Sequence, residues 1–203
     1  MLLAFAAISY LSIPGAMGIT PENAYSILIQ RLLASTILLL FVGYYSNREF
    51  LRSILNVNPA TTQWLIIVIV LSMFLIPVIY AQNNFDERRM AIFRISWTYS
   101  LIAVYFINTC IYYLLYEITL RGFFLNWLKK NYSTPIAVSF NVLVYAYMHL
   151  PKGPMEAVAC IPFGLLLCIA TIRTRSILPA MLMHVVLGIS LESSMIYHIN
   201  VHL

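Results

Sequence analysis

Read from its amino end, the chain is a succession of apolar runs of about 16 to 22 residues separated by short polar connections, without alternation inside the runs. A strand facing two environments would alternate with a period of two, so unbroken runs of this length predict helices. The pattern predicts a first span over Met1 to Ile19, weakened by Pro14 and Gly15, and a second from Ala24 to Tyr45 with Arg31 inside it. The first run lacks the basic start and small-residue cleavage site of a secretory signal, so it is expected to be a retained span. Ser46 to Gln63, carrying Arg48, Glu49 and Arg52, is expected to be the longest polar connection. A third span is expected over Trp64 to Ala81, closed by a polar run that ends in Asp86, Glu87, Arg88 and Arg89.

From Met90 to Leu128 the chain stays apolar for about twice the length of a membrane crossing, so it must be tilted, broken or partly in-plane. Pro135 to Leu150 reads as a fifth span, Met155 to Ile172 as a sixth and Ile177 to Tyr197 as a seventh. The tight connection Pro151, Lys152, Gly153, Pro154 joins the fifth to the sixth.

Composition sharpens this picture. Of 203 residues, 62% are hydrophobic and 9% charged, against roughly 25% charged in an ordinary soluble domain. A water-soluble globule is excluded, and unbroken runs exclude an outer-membrane barrel. The formal charge of +5 does not point to nucleic acid, because the basic residues stand singly or in pairs at the ends of apolar runs. Arg48, Arg52, Lys129, Lys130, Arg173 and Arg175 are expected on one face of the membrane and Arg88, Arg89 and Lys152 on the other. That asymmetry predicts a multi-pass protein of the cell membrane with a cytoplasmic amino terminus. Cys110, Cys160 and Cys168 show no metal-ligand spacing and read as small core hydrophobes.

Four ionisable groups stand where such groups are costly. A charge at bilayer depth costs at least about 2.5 kcal/mol, so Glu117, Arg121, His149 and His184 each need a partner or a task. Counted at about 1.5 Å per residue from the helix ends, Glu117 lies about 18 Å, His184 about 14 Å and His149 about 21 Å deep, within what helix tilt absorbs. An acid, an arginine and two imidazoles are thus expected to meet in one layer. The plainer alternatives are an i,i+4 ion pair within one helix for Glu117 and Arg121, and separately bonded imidazoles for the histidines. Glu156 is expected in a helical first turn facing the dipole, and Glu192, eight residues after His184 and on nearly the same helix face, reads as an acid near the far surface.

The segments YEITLRGFF (Tyr116 to Phe124), YAYMHLPKGPMEA (Tyr145 to Ala157) and SILPAMLMHVVLG (Ser176 to Gly188) resemble the CAAX-protease and bacteriocin-processing (CPBP / Abi) family of intramembrane proteases. That family's pattern is EExxxR, then FxxxH, then HxxxN or HxxxD. Glu117 and Arg121 match the second Glu and the Arg, His149 the second motif and His184 the third. Tyr116 stands for the first Glu, Tyr145 for Phe and Gly188 for Asn or Asp, as in a branch with a single Glu in the first motif.

The resemblance implies an all-α transmembrane bundle of about seven helices, with N-terminal helices over residues 1–93 and a four-helix protease core over 94–200. It implies hydrolysis of a peptide bond in a membrane-associated, prenylated or tethered protein or peptide. Two mechanisms are open. Glu117 can activate a water as general base, with His149 and His184 orienting it or bonding the oxyanion. Alternatively Glu117, His149 and His184 can hold a divalent metal such as zinc, with Glu156 as the base. The same residues also admit a catalytically inactive membrane scaffold or bacteriocin-immunity protein, and a small transporter.

Overall fold

A computed structural model describes residues 24–45, 48–80, 99–150 and 153–202, and these are helical wherever they are regular. The elements are α1 (Ala24–Tyr45), α2 (Arg48–Ile54), α3 (Pro59–Tyr80), α4 (Tyr99–Glu117), a π-helical segment (Ile118–Phe124), α5 (Leu125–Asn131), α6 (Thr134–Tyr147), α7 (Pro154–Thr174) and α8 (Leu178–His202). Among the described residues, four stretches are long and apolar enough to cross a membrane: Pro59–Pro77, Ile102–Asn131, Pro154–Thr174 and Leu178–His198. The expected first span and the acidic and basic run around Asp86 to Arg89 lie outside the described residues.

Two sequence-based expectations are corrected and a third is narrowed. The connection from Ser46 to Gln63 is not a long polar loop: it contains α2, and α3 starts at Pro59, because Pro is preorganised for the first turn of a helix. Asn58 accepts the Thr61 backbone N–H through its side chain, which satisfies one of the donors a helix start exposes. The long apolar stretch is helical without a break over its described part, which leaves the tilted form of the expectation standing. α4, the π-helical segment and α5 run on as one rod, in which the Leu125 backbone N–H bonds the Leu120 carbonyl five residues back. The fifth span is α6 alone, 14 residues long. At 1.5 Å per residue it extends about 21 Å, short of the roughly 30 Å hydrocarbon core. It stops at Tyr147, so His149 lies in the turn beyond the helix end.

Chain reversals follow from local chemistry. Tyr132 and Ser133 are extended and Pro135 fixes the second residue of α6. Gly153, at φ 123°, makes a turn that a side chain would strain, and Pro154 opens α7. Arg175, at φ 52°, ends α7 in the left-handed region. The turn is held by Thr174, whose hydroxyl accepts from the Ser176 N–H at 3.1 Å, and by the Ile177 N–H donating to the Ile54 carbonyl at 2.7 Å. Ser53, Lys129 and Arg175 thereby line one cavity of about 200 Å³. The basic ends of α2, α5 and α7 therefore share one end of the bundle, as the charge pattern predicts.

The rod of α4 to α5 is central. α1 and α8 pack on α4, α6 packs on α7, and α8 packs on α3. Leu115 through Gly122 are buried without interruption, as expected of a segment surrounded by protein. Leu40, Ile69, Phe74, Ile107 and Val158 point outward instead, an apolar surface that suits lipid. Glu117, Arg121 and Glu192 are buried instead, so within the spans polarity is inverted relative to a soluble protein, while the basic residues at the helix ends stay exposed.

Candidate active site

The site forms where the central rod changes helical register. Glu117 is the last residue of α4 and Arg121 lies in the π-helical segment, both fully buried. Short π-helical stretches inside α-helices are frequent at functional positions. This one is supported from outside: the Asn141 side-chain amide of α6 donates to the Leu120 carbonyl at 2.9 Å, and the Cys168 thiol donates to Asn141 Oδ1 at 3.3 Å.

Arg121 Nη1 donates to Glu117 Oε1 at 3.0 Å, and His184 Nδ1 lies 2.6 Å from the same oxygen. An ionised carboxylate only accepts, so this contact requires the proton on Nδ1 of His184. Glu117 Oε2 and Arg121 Nε and Nη2 are buried without a hydrogen-bond partner. One carboxylate oxygen is therefore saturated, while the other stands ready beside unused guanidinium donors. Buried polar atoms of this kind call for water or a polar ligand group.

Aromatic rings wall the cluster. The His184 imidazole lies 4.4 Å from the Tyr113 ring, 5.4 Å from Tyr116, 5.8 Å from Tyr145 and 6.0 Å from Phe163, centroid to centroid. Tyr145 also lies beneath the Arg121 guanidinium, 4.5 Å from ring centroid to Cζ, a cation–π geometry. His149 adjoins the group through this tyrosine: its Nδ1 is 2.9 Å from the Tyr145 carbonyl and its ring 4.5 Å from the Tyr145 ring.

Of the residues singled out from the sequence, Glu117, Arg121 and His184 come together directly, and His149 adjoins them across Tyr145. Glu156 stands half-buried in the first turn of α7, where a carboxylate suits the positive end of the helix dipole. Among the described residues no three His, Cys, Asp or Glu side chains gather closely enough to hold a metal ion. Glu192 corrects the expectation of an acid near the far surface: it is buried on α8, within reach of Thr109 and Tyr113. Its spacing of eight residues from His184 puts it on the same helix face, a signal that was available in the sequence.

Tyr145 was legible only as a substituted motif position. Its ring occupies space that Gly164 leaves open, since a Cβ on Gly164 would fall 2.8 Å from Tyr145 Cδ1. Gly164→Ala is expected to destabilise the bundle by about 1–3 kcal/mol through overpacking, measurable as a lower unfolding midpoint in detergent micelles.

Residues 96–189 match the family model described as "Type II CAAX prenyl endopeptidase Rce1-like". No curated protein and no solved structure matches the chain.

Proposed function

We propose, from the match of residues 96–189 to the family model of Rce1-like Type II CAAX prenyl endopeptidases, that the chain is an intramembrane endopeptidase that uses Glu117 as general base on a membrane-associated, prenylated substrate. The observation that carries this reading is that Glu117 Oε2 is buried without a hydrogen-bond partner, as are the Nε and Nη2 donors of the arginine paired with it. Water bonded at Oε2 gives a proton to the carboxylate as its oxygen attacks the scissile carbonyl carbon. The carbonyl oxygen becomes an oxyanion, which takes hydrogen bonds from the free guanidinium N–H groups of Arg121. The tetrahedral intermediate then collapses, the C–N bond breaks and the proton held by Glu117 passes to the leaving amine.

His184, bonded through Nδ1, fixes Glu117 so that Oε1 stays occupied and Oε2 remains the reactive oxygen. His149, at the open end of α6, sits beside Tyr145 and is the residue we assign to orienting the substrate peptide. The partners implied are the lipid bilayer and a tethered protein or peptide that approaches from the cytoplasmic side, with the cell membrane as location.

The test is hydrolysis of a prenylated CAAX peptide by the chain reconstituted in liposomes, followed by mass spectrometry of the products. Cleavage of the prenylated peptide and not of its unprenylated counterpart is the expected result. A folded chain that cuts neither would leave a scaffold or immunity role, and substrate-dependent proton flux abolished by His184→Ala would make it a transporter.

A further inference from the structure

A second set of polar residues continues from the Glu117 and His184 pair along the same two helices. One turn before Glu117 on α4 stands Tyr113, and one turn before that Thr109. One turn after His184 on α8 stands Gly188, and one turn after that Glu192. Steps of four residues keep each series on one face of its helix. The two faces meet in antiparallel order. His184 contacts Glu117, Gly188 receives the Tyr113 ring, and Glu192 receives both hydroxyls.

The middle rung is the tightest. A Cβ on Gly188 would lie 2.5 Å from Tyr113 Cε2, 2.6 Å from Cζ and 2.7 Å from the hydroxyl oxygen. No side chain fits there unless the ring leaves or α4 and α8 separate. The same ring packs against the His184 imidazole at 4.4 Å and 35°. Its far end is held by Glu192, to whose Oε1 the phenol donates at 3.5 Å, while Thr109 donates to Oε2 at 3.4 Å. A carboxyl group buried in a membrane bundle is expensive to keep, and the proposed reaction makes no direct use of this one.

The geometry points to Tyr113, Gly188 and Glu192 as positioning residues for the Glu117–His184 pair. The ring seated on bare glycine backbone sets the separation of α4 and α8 one turn from the 2.6 Å contact. Glu192 holds the ring in that seat. None of the three touches the reacting atoms, and their importance for turnover rests on the roles given above to Glu117 and His184.

The test uses the full chain in micelles with the prenylated peptide. Since a displacement of about 1 Å at a reacting pair costs on the order of 10²-fold, Gly188→Ala is expected to lower kcat by about 10²-fold and to change KM little. Adding Tyr113→Leu removes the atoms that clash and is expected to restore about tenfold of that loss, as coupled neighbours do. Tyr113→Phe keeps the clashing ring carbons and is expected not to restore it.

Should Gly188→Ala fail to fold, Tyr113→Phe alone tests the anchor. With the chain carrying ¹⁵N-histidine and the signals assigned through His184→Gln, it is expected to shift the His184 imidazole resonances and to lower kcat several-fold. Wild-type kcat in Gly188→Ala, a Tyr113→Leu change that restores nothing, or unmoved His184 resonances in Tyr113→Phe would overturn the proposal. The nitrogen resonances report on His184 whether or not the peptide is cut, so failure of the positioning role is distinguishable from failure of the hydrolase reading.

Discussion

Glu117→Gln is expected to lower kcat for a prenylated peptide by about 10²–10⁴-fold, the range that a positioned general base contributes. Glutamine preserves the size of the side chain, and its one remaining carbonyl oxygen can still accept from Arg121 Nη1 and His184 Nδ1. What it cannot do is take a proton from water. KM is expected to hold within a few-fold, because the substrate contacts assigned to His149 and the ring walls are untouched. The measurement is a set of initial rates in liposomes beside an unfolding curve for the same sample. A variant that cuts at the wild-type rate would remove Glu117 from the reaction. The unfolding curve matters, since the neutral amide leaves Arg121 short of its counter-charge, and a lost rate must not be confused with a lost fold.

Much of this site could be read from residue types alone. An acid and an arginine four residues apart in an apolar stretch announce an intramembrane ion pair, and the pair is present at 3.0 Å. Counting residues from the basic helix ends, which share one end of the bundle, places His184 at the depth of Glu117. Periodicity could not show how His149 is held. The hydropathy pattern carries the helix on to Leu150, but α6 ends at Tyr147 and the imidazole bonds back to the Tyr145 carbonyl.

The aromatic wall was invisible for a different reason. In a chain with 14 Tyr and 11 Phe, nothing local marks which rings turn inward. The glycines carry that information: Gly164 and Gly188 are the positions where Tyr145 and Tyr113 lean on bare backbone. The π-helical register was equally hidden, because ITLRGFF is an ordinary helical sequence and the wider turn is supported by Asn141, 21 positions from the carbonyl it bonds. Hydropathy therefore outlined the spans, while the depth and facing of single side chains depended on contacts between helices far apart in sequence.

Arg121→Met is expected to cost about 3–5 kcal/mol of stability, the penalty for stranding one member of a buried ion pair. The guanidinium and the Glu117 carboxylate are both fully buried, so water cannot screen the loss. Methionine fills similar volume in the apolar surroundings, which leaves the orphaned carboxylate as the main term. Arg121→Lys is expected to recover only part of the loss. A lysine ammonium can reach Glu117 Oε1 but cannot lie flat on Tyr145 at 4.5 Å or offer the planar Nε and Nη2 donors. Combining Arg121→Met with Glu117→Gln removes both charges, and the double variant is expected to be more stable than the sum of the two single losses predicts. Denaturant titration in micelles across the four chains measures that coupling. Additive losses would mean that the two charges stabilise the bundle independently. A positive coupling, in a double variant that folds well but hydrolyses nothing, would show that the membrane core tolerates the pair for the sake of its chemistry and does not need it to fold.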